Sequence, residues 1–230
     1  MAKILITSGP TRQYLDPVRY LTNGSSGVMG SALAQAALQA GHQVVMVSGP
    51  VRVRYPSGVK LLEVETTQEM LEACLAEFPN CDGLIGAAAP CDYQPAAVAA
   101  QKLKKTGEPL LLKLIETPDI VATLGKKKRL NQWTVGFALE SEDARFQAIG
   151  KLQRKLCDLV VVNGVGAINS PHNEIEILNP AGEVVLAASG TKQKLAKQII
   201  RVLDEQLLGP RSKTASATPS ARPRKPQARI

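Results

Sequence analysis

Aromatic residues are scarce in this sequence, at only 3% of 230 positions, although hydrophobic residues reach 44%. The core must therefore be built mainly from valine, isoleucine, leucine and alanine. That composition is typical of buried parallel strands covered by alanine-rich helices. No run of about 18 apolar residues occurs, so the sequence does not predict a membrane-spanning helix.

The signals of export are also missing from the sequence. Four cysteines, Cys74, Cys81, Cys91 and Cys157, form no CxxC pair, and we expect them to be free thiols. The N-terminus enters a strand-like run, Lys3–Thr7, without the charged leader and long apolar stretch of a signal peptide. We therefore predict a cytoplasmic protein.

Acidic residues are absent from the last 22 positions, which hold six basic residues and little that could be buried. Such a segment cannot offset its ordering entropy, so residues 209–230 are predicted to be a basic disordered tail behind one domain, residues 1–208. A solubilising role is the simpler interpretation of the tail, and weak contact with nucleic acid or another polyanion is the alternative. The rest carries 22 basic and 20 acidic residues, so nucleic acid is not an expected partner of the domain.

Strand-like and helical runs alternate along residues 1–208, which predicts parallel strands joined by right-handed crossovers. Near the end, Asn179-Pro180-Ala181-Gly182 separates two strand-like runs, Glu174–Leu178 and Glu183–Ala187, as a hairpin turn would. The predicted fold is α/β, a doubly wound, mostly parallel Rossmann-like sheet with helices on both faces and a C-terminal antiparallel hairpin.

Local signals place several helices. A helix over about residues 27–40 should stop at Gly41, and Thr66 or Thr67 should cap a helix over Thr67–Glu77. An alanine-rich run, Pro95–Ala100, is a further helix candidate. In Thr117-Pro118-Asp119, threonine is predicted as the cap and proline as the first helical residue.

The stretch Asn23-Gly24-Ser25-Ser26-Gly27 stands directly before a predicted helix. Backbone N–H groups and the positive end of a helix make such a stretch a candidate phosphate cradle. An ordinary tight turn is the alternative interpretation. About 19 residues separate the first strand from this helix, which argues against a dinucleotide fingerprint with its short turn.

Polar residues of the same loop could recognise an anion. Arg12 and Arg19 suit bidentate contacts to a phosphate or carboxylate, although ion pairs with Asp16 would explain them equally. Asn23 could donate a hydrogen bond to an oxygen that becomes an oxyanion, or could simply hold the turn.

A second candidate region, residues 87–95, follows a small-residue strand, where open α/β sheets bind ligands. Asp92 could hold a ribose hydroxyl or a metal, and Tyr93 could pack against a ring. Cys91 has no histidine near it in sequence, so we interpret it as a small packing residue and not a nucleophile.

Three groups of basic residues complete the candidates. Lys102, Lys104 and Lys105 form either a solvated turn or a flap that clamps a triphosphate. Residues 126–129 are more simply the basic end of a helix. Lys151 and Lys155 lie one turn apart on a predicted helix face, which permits joint phosphate contact but also suits an exposed surface.

Taken together, these stretches resemble one family closely, phosphopantothenate–cysteine ligase. The matching motifs occur in family order from residue 3 to about 208: Thr7-Ser8-Gly9-Pro10-Thr11-Arg12, Asp16-Pro17-Val18-Arg19-Tyr20, Asn23-Gly24-Ser25-Ser26-Gly27, Val47-Ser48-Gly49-Pro50, Asp92-Tyr93, Lys102-Leu103-Lys104-Lys105, Thr117-Pro118-Asp119-Ile120-Val121 and Val135-Gly136-Phe137-Ala138.

The resemblance implies ligation of 4′-phosphopantothenate to L-cysteine through an acyl-cytidylate, with CTP more than ATP as co-substrate, Mg²⁺ as cofactor, and release of pyrophosphate and CMP. It implies catalytic roles for Asn23 and Lys102, and substrate binding by Arg19, Asn23 and Lys104. The nucleotide-binding residues implied are Gly9, Ser26, Gly27, Ala88, Asp92, Pro118, Asp119, Ile120, Val121, Phe137, Lys151 and Lys155. Family members form homodimers in which one protomer's segment completes its neighbour's site.

A short-chain-type NAD(P)-dependent oxidoreductase is the alternative function, because a strand, a Gly/Ser loop and a helix also begin that fold. Its Tyr-x-x-x-Lys pair is missing, since no tyrosine of this sequence is followed four positions later by lysine.

Overall fold

The computed structural model describes residues 1–140, 144–164 and 172–209. The predicted tail lies outside these ranges except for its first residue. In chain order the elements are β1 (Lys3–Ser8), β2 (Arg12–Tyr14), β3 (Tyr20–Thr22), α1 (Val28–Gln39), β4 (Gln43–Ser48), β5 (Lys60–Glu63), α2 (Thr67–Glu77), a 3₁₀ turn (Phe78–Asn80), β6 (Gly83–Gly86), β7 (Tyr93–Pro95), β8 (Leu114–Glu116), α3 (Ile120–Lys127), β9 (Trp133–Glu140), α4 (Ala144–Lys155), β10 (Leu159–Gly164), β11 (His172–Leu178), β12 (Val184–Thr191) and α5 (Lys192–Leu203), which runs into a π-helical turn (Asp204–Leu208).

Eight strands form one sheet in the order β12-β11-β10-β9-β6-β1-β4-β5. The six from β10 to β5 are parallel, and β11 and β12 pair antiparallel at one edge. Among the six parallel strands the chain order is 3-2-1-4-5-6, the doubly wound arrangement that reverses direction beside the first strand. The predicted fold class and closing hairpin are therefore confirmed.

Helices cover both faces of the sheet because successive strand residues point to opposite sides. Ile4 and Ile6 pack in a core beneath α1 and α5, whereas Leu5 packs beneath α2 and α3. Helix α4 closes a third cluster with β9 and β10. One tight fit fixes β6 against β9, since a Cβ on Gly83 would lie 2.1 Å from the ring of Trp133.

Capping explains where two helices begin. Thr66 caps α2 by accepting a hydrogen bond from the N–H of Glu69, whose carboxylate accepts in turn from the N–H of Thr66. The predicted cap of α3 was wrong by two residues. Asp119, not Thr117, is the cap, because its carboxylate accepts from the N–H of Ala122 at 2.9 Å.

Two small hairpins were not predicted. β2 pairs with β3 inside the long loop after β1, and β7 pairs with β8. The helix expected over Pro95–Ala100 is absent, and the backbone N–H groups of Ala96 and Ala99 donate instead to the carbonyls of Lys113 and Leu15. Within the described ranges, no helix is both long enough and apolar enough to cross a bilayer.

Candidate functional site

An open cleft of about 510 Å³ lies at the carboxyl ends of the parallel strands, beside the β1–β6 pair where the strand order reverses. Ligands of doubly wound sheets bind at this position. Eight of the predicted site residues line the cleft: Asn23, Ser26, Gly27, Ala88, Asp92, Phe137, Lys151 and Lys155. They come from four separate stretches of the sequence, which the fold brings together at one place.

The N-terminus of α1 opens into the cleft. Gly27, the residue that precedes the helix, has φ of 75° and no side chain to cap the first turn. The next residues, Val28-Met29-Gly30, contain no acidic side chain. The first N–H groups and the positive helix end therefore face this space without a carboxylate in that turn, which suits an anion.

The shape of this cradle depends on Ser8 at the end of β1. Its hydroxyl donates to the carbonyl of Gly27 at 3.3 Å and accepts from Tyr55 at 2.9 Å. A Cβ on Gly30 would lie 2.1 Å from the Ser8 hydroxyl oxygen. Glycine is therefore required at position 30 for the helix to approach the strand so closely.

Asn23 spans the cleft between two loops. Its amide nitrogen donates to the carbonyl oxygens of Ala89 and Pro90, at 3.2 and 2.9 Å. These two acceptors fix the orientation of the amide and occupy its donors. What Asn23 offers to a ligand is therefore its Oδ1, an acceptor, and not the oxyanion donor that the sequence suggested.

Two lysines of α4 line the cleft from the face of the sheet opposite to α1. The ammonium group of Lys155 lies 2.9 Å from the carboxylate of Asp119, the cap of α3, so Asp119 pairs with a cleft residue without lining the cleft itself. Lys151 lines the cleft one turn earlier. Asp92 is the one carboxylate among the described residues of the cleft lining, and it is exposed.

The other predicted residues do not line the cleft. They are Gly9, Arg19, Lys102, Lys104, Pro118, Asp119, Ile120 and Val121. Gly9 is buried against Val51 and Ile120 lies in the core. The Val121 side chain lies against Gly86 of β6.

Arg19 belongs to a separate cluster around Asp16. The Asp16 carboxylate is completely buried and accepts from the N–H groups of Val18, Arg19 and Leu103, with the Arg19 guanidinium 3.5 Å away. Burial alone would raise the pKa of Asp16, but the three N–H donors and Arg19 hold it below its ordinary value. Arg12 pairs with Glu65 and stacks on Tyr20 instead.

Cys91 is a packing residue, as predicted. Its thiol is buried between the carbonyls of Thr11 and Leu21, at 3.4 and 3.6 Å. Burial raises the pKa of this thiol, which opposes a nucleophilic role. The basic cluster at the end of α3 is also structural, since Lys128 binds Asp158 and the carbonyl of Leu156.

Sequence reasoning missed three polar residues of the cleft: Asn163, Asn173 and Lys192. They lie at the end of β10, near the start of β11 and at the first position of α5. Burial lowers the pKa of Lys192. For Asn163 the available signal was a polar residue at the carboxyl end of a strand, whereas Asn173 and Lys192 lie at the start of their elements and had no such signal.

Comparisons with known proteins agree with this geometry. The family model for the DNA/pantothenate metabolism flavoprotein C-terminal domain matches residues 1–207. The coenzyme A biosynthesis bifunctional protein CoaBC of Vibrio parahaemolyticus is 43% identical over 208 residues, which cover 88% of this chain and 52% of that protein. The CoaBC protein of Escherichia coli is 39% identical over 213 residues, with the same two coverages. The chain thus spans about half the length of these curated relatives.

Solved structures give the same result. The crystal structure of the C-terminal domain of coenzyme A biosynthesis bifunctional protein CoaBC has a TM-score of 0.77 and 35% identity, covering 90% of this chain and 95% of that one. A Cab2 mutant in complex with phosphopantothenate-cysteine has a TM-score of 0.72 at 16% identity, covering 90% and 87%, a likeness of fold. The chain therefore belongs to the family of the DNA/pantothenate metabolism flavoprotein C-terminal domain.

Proposed function

We propose that this chain ligates 4′-phosphopantothenate to L-cysteine in coenzyme A biosynthesis, through an acyl-cytidylate formed from CTP. In the first step a carboxylate oxygen bonds to the α-phosphorus of CTP, the bond from that phosphorus to the bridging oxygen breaks, and pyrophosphate leaves. In the second, the cysteine amine attacks the acyl carbon and loses a proton. The acyl C–O bond breaks and CMP leaves.

Family membership and the relatives support this proposal. The matched relatives are named for coenzyme A biosynthesis, and the 35% identical solved domain is the C-terminal domain of such a protein. The observation that carries the proposal is the convergence of the motif residues on one cleft. This cleft is lined by the Asn23 loop, Asp92, Phe137 and Lys155. Asn23 and Lys155 are 132 positions apart in the sequence.

The phosphates of the nucleotide fit the two positively charged walls of the cleft. The N-terminus of α1, behind Ser26 and Gly27, supplies backbone N–H groups, and Lys151 and Lys155 approach from α4. In the first step negative charge moves onto the leaving pyrophosphate. Fixed N–H groups and ammonium groups stabilise that charge more strongly in a partly closed site than water would.

Asn23 would act mainly in the second step. Because its donors are held by the carbonyls of Ala89 and Pro90, its Oδ1 can accept a hydrogen bond from an N–H group. The attacking amine of cysteine and the amide of phosphopantothenate both carry such groups. Asn23 would therefore orient the acyl intermediate or the nucleophile without providing an oxyanion hole.

The cleft fits a magnesium ion that arrives with the nucleotide. Mg²⁺ commonly binds through one or two carboxylates together with substrate phosphates, and Asp92 is the carboxylate that this lining offers. When bound, the ion would neutralise charge on the phosphate oxygens.

We extend the proposal to a homodimer formed through the arm, which we define as residues 93–116. Leu110, Leu111 and Val98 of the arm are 59%, 93% and 59% exposed, an apolar surface that a second copy would bury. The arm also carries Lys102 and Lys104, which do not line the cleft of their own chain. In the dimer they would reach the partner's site.

Cytoplasmic location follows from the proposed chemistry, because cysteine must be present as the free amino acid and not as its disulfide. The four cysteines of the chain are buried free thiols, which suits the same reducing environment.

Purified protein tests the proposed function directly. With phosphopantothenate, cysteine, Mg²⁺ and CTP it should release pyrophosphate and CMP, and omission of cysteine should abolish CMP release in multiple turnovers. A variant truncated after residue 209 should retain activity if the tail is dispensable. Lack of cysteine-dependent turnover with both CTP and ATP would reject the ligase.

An oxidoreductase of the short-chain type is not favoured. β1 and α1 are separated by 19 residues, positions 9–27, which include the β2–β3 hairpin. A dinucleotide site uses a short glycine-rich turn at this position.

A further inference from the structure

The end of α3 and the turn that follows it carry a compact positive charge. We call residues 126–130 the basic turn. Its Lys126, Lys127 and Arg129 are exposed, and their side chains form no ion pair with any residue in the parts of the chain that the structure describes. Lys128 is the member used inside the fold, where it binds Asp158 and the carbonyl of Leu156. Three cations therefore remain on the surface.

The basic turn also presents an apolar side chain to solvent. Leu130, at its end, is 97% exposed. Leu156 lies against the end of α3, since a Cβ on Gly125 would come within 3.5 Å of the Leu156 Cβ, and Leu156 is 48% exposed. Exposed apolar area of this kind is stabilised by transfer out of water. Two leucines thus accompany the three surface cations.

The C-terminal end of the domain reaches the same place. Gln206 and Leu207 line a cavity of about 400 Å³ together with Arg129 and Leu130 of the basic turn. Gly209, the last described residue, follows two positions after Leu207. Residues 210–230 therefore start beside the basic turn, and their sequence adds six basic residues and no acidic one.

This surface lies away from the candidate site. The basic turn leads into β9 and Leu156 leads towards β10, so both lie at the amino ends of the parallel strands. The cleft lies at the carboxyl ends. A partner that binds the basic turn would leave the cleft open to its substrates.

The charge of the surface excludes two occupants. A second copy of the same surface would bring like charges together, and the tail of this chain is itself basic. The partner must therefore be anionic. Asp158, the carboxylate among the described residues of the cavity lining, is already bound by Lys128.

The leucines favour a bilayer over nucleic acid. Single strands are held by stacking on exposed aromatic rings, and Trp133, the aromatic residue of the cavity lining, is 2% exposed. A duplex backbone would pair with the cations but would not bury an exposed leucine. An anionic bilayer matches both features, because its headgroups attract clustered lysine and arginine while its interface accepts apolar side chains.

We propose that the basic turn and the basic tail together form a docking surface for membranes that contain anionic lipid, with Leu130 entering the interfacial region. The inference goes beyond the proposed function and does not depend on it. Stable attachment takes two signals, and here they are headgroup attraction and insertion of an apolar side chain. Binding should be reversible and should weaken as salt rises.

Co-sedimentation of the full chain with vesicles tests the charge requirement. The chain should bind phosphatidylcholine vesicles that contain phosphatidylglycerol at least about tenfold more tightly than vesicles of phosphatidylcholine alone. Lys127→Glu should weaken binding to the anionic vesicles about tenfold, and replacing the six basic tail residues by glutamine should weaken it at least as much. Lys197→Glu, an exposed change on α5, is the matched control and should have little effect.

The apolar requirement has its own pair of variants. Leu130→Ser should weaken binding to the anionic vesicles at least about threefold, because less apolar area leaves water. Phe146→Ser is the matched control, since it removes a 76% exposed ring from the first turn of α4, which follows the carboxyl end of β9. That control should bind as wild type does. Because both side chains are exposed, the melting temperatures of these variants should equal that of wild type.

Three results would overturn the docking surface. One is no vesicle binding, or equal binding to anionic and neutral vesicles. Another is unchanged vesicle binding in Leu130→Ser. The third is tighter binding to duplex DNA than to anionic vesicles, with Leu130→Ser silent in both, which would assign the surface to nucleic acid. Failure of the ligase assay would not change any of these outcomes, because vesicle binding is measured without substrates.

Discussion

The backbone N–H of Leu103 donates to Oδ2 of Asp16 at 3.0 Å, although 87 positions separate the two residues. The same carboxylate accepts from Arg19, so one buried group holds both the Arg19 loop and the basic loop of the arm. Both loops carry residues that the family resemblance assigns to substrate binding. The Asp16 side chain therefore holds the two loops together, beside the backbone hydrogen bond from Ala99 of the arm to the carbonyl of Leu15.

Replacing Asp16 should therefore disturb two loops together. Asp16→Ala leaves three partly buried backbone donors without their acceptor, and the loss of such bonds is destabilising. We expect a lower melting temperature and faster amide exchange at Leu103, measured by hydrogen–deuterium exchange. Glu108→Ala, an exposed change in the arm, is the control and should alter neither. Unchanged protection of Leu103 in Asp16→Ala would contradict this role.

Asp16 also predicts a pH dependence of stability. Its pKa in the folded chain lies below the ordinary value of 3.8, so the unfolded chain binds the proton first as the pH falls. The stabilisation is complete above the unfolded pKa and is lost as the pH falls through the folded value. The difference in unfolding free energy between wild type and Asp16→Asn should therefore shrink below about pH 4. A difference that grows on acidification would contradict the assignment.

Gly30 should not tolerate a side chain. A methyl group there meets the Ser8 hydroxyl, so Gly30→Ala should cost about 1–3 kcal/mol of unfolding free energy. It should also raise the KM for the triphosphate by displacing the first turn of α1. Gly24→Ala is the matched control for stability, because a Cβ there meets nothing within 4 Å.

A second substitution at Ser8 tests whether the contact between positions 8 and 30 causes the loss of stability. Ser8→Gly removes both side-chain atoms that the new methyl group would strike, so the double variant should recover part of the stability lost by Gly30→Ala. If the losses of unfolding free energy of the two single variants simply add in the double variant, the contact between Ser8 and the new methyl group is not the cause.

Asn23→Asp should slow the second step of ligation. A carboxylate cannot donate to the carbonyls of Ala89 and Pro90, so the side chain should turn away from its present position. We expect about a hundredfold slower capture of the acyl-nucleotide by cysteine in single-turnover chase experiments. Asn131→Asp is the control. An unaffected second step would reject the role proposed for Asn23.

Leu111→Asp tests the proposed dimer. Placing a charge on the most exposed apolar residue of the arm should raise the dimer dissociation constant at least about tenfold, as light scattering after gel filtration can measure. Leu130, which is 97% exposed outside the arm, gives the matched variant Leu130→Asp. Equal masses for wild type and Leu111→Asp at all concentrations would contradict the proposed interface.

The sequence predicted the central sheet well because its signals are local. The apolar run of β4 and the threonine cap of α2 each lie within a few residues, and the structure places both as expected. The hairpin of β7 and β8 could not be predicted in this way. Residues 96–100 have helix-forming composition, but backbone bonds from Ala96 and Ala99 to distant carbonyls outweigh that preference.

Only part of the cleft lining was predicted, because local motifs mark some of its residues and strand pairing brings in the others. Asn23 and Asp92 stand in motifs that are visible along the chain. Asn163 and Asn173 do not, and their convergence depends on the antiparallel pairing of β10 with β11. Val121 shows a different limit, because its motif is visible along the chain but only the structure shows that its side chain packs against Gly86 and does not line the cleft.

An oxygen label gives the most direct test of ligation through an acyl-cytidylate. Phosphopantothenate labelled with ¹⁸O in its carboxylate should be incubated with CTP, Mg²⁺ and cysteine, and the products analysed by mass spectrometry. The proposed chemistry transfers one labelled oxygen to CMP, because the bond between that oxygen and the acyl carbon breaks in the second step. Label in pyrophosphate or inorganic phosphate, or unlabelled CMP beside the ligated product, would contradict it.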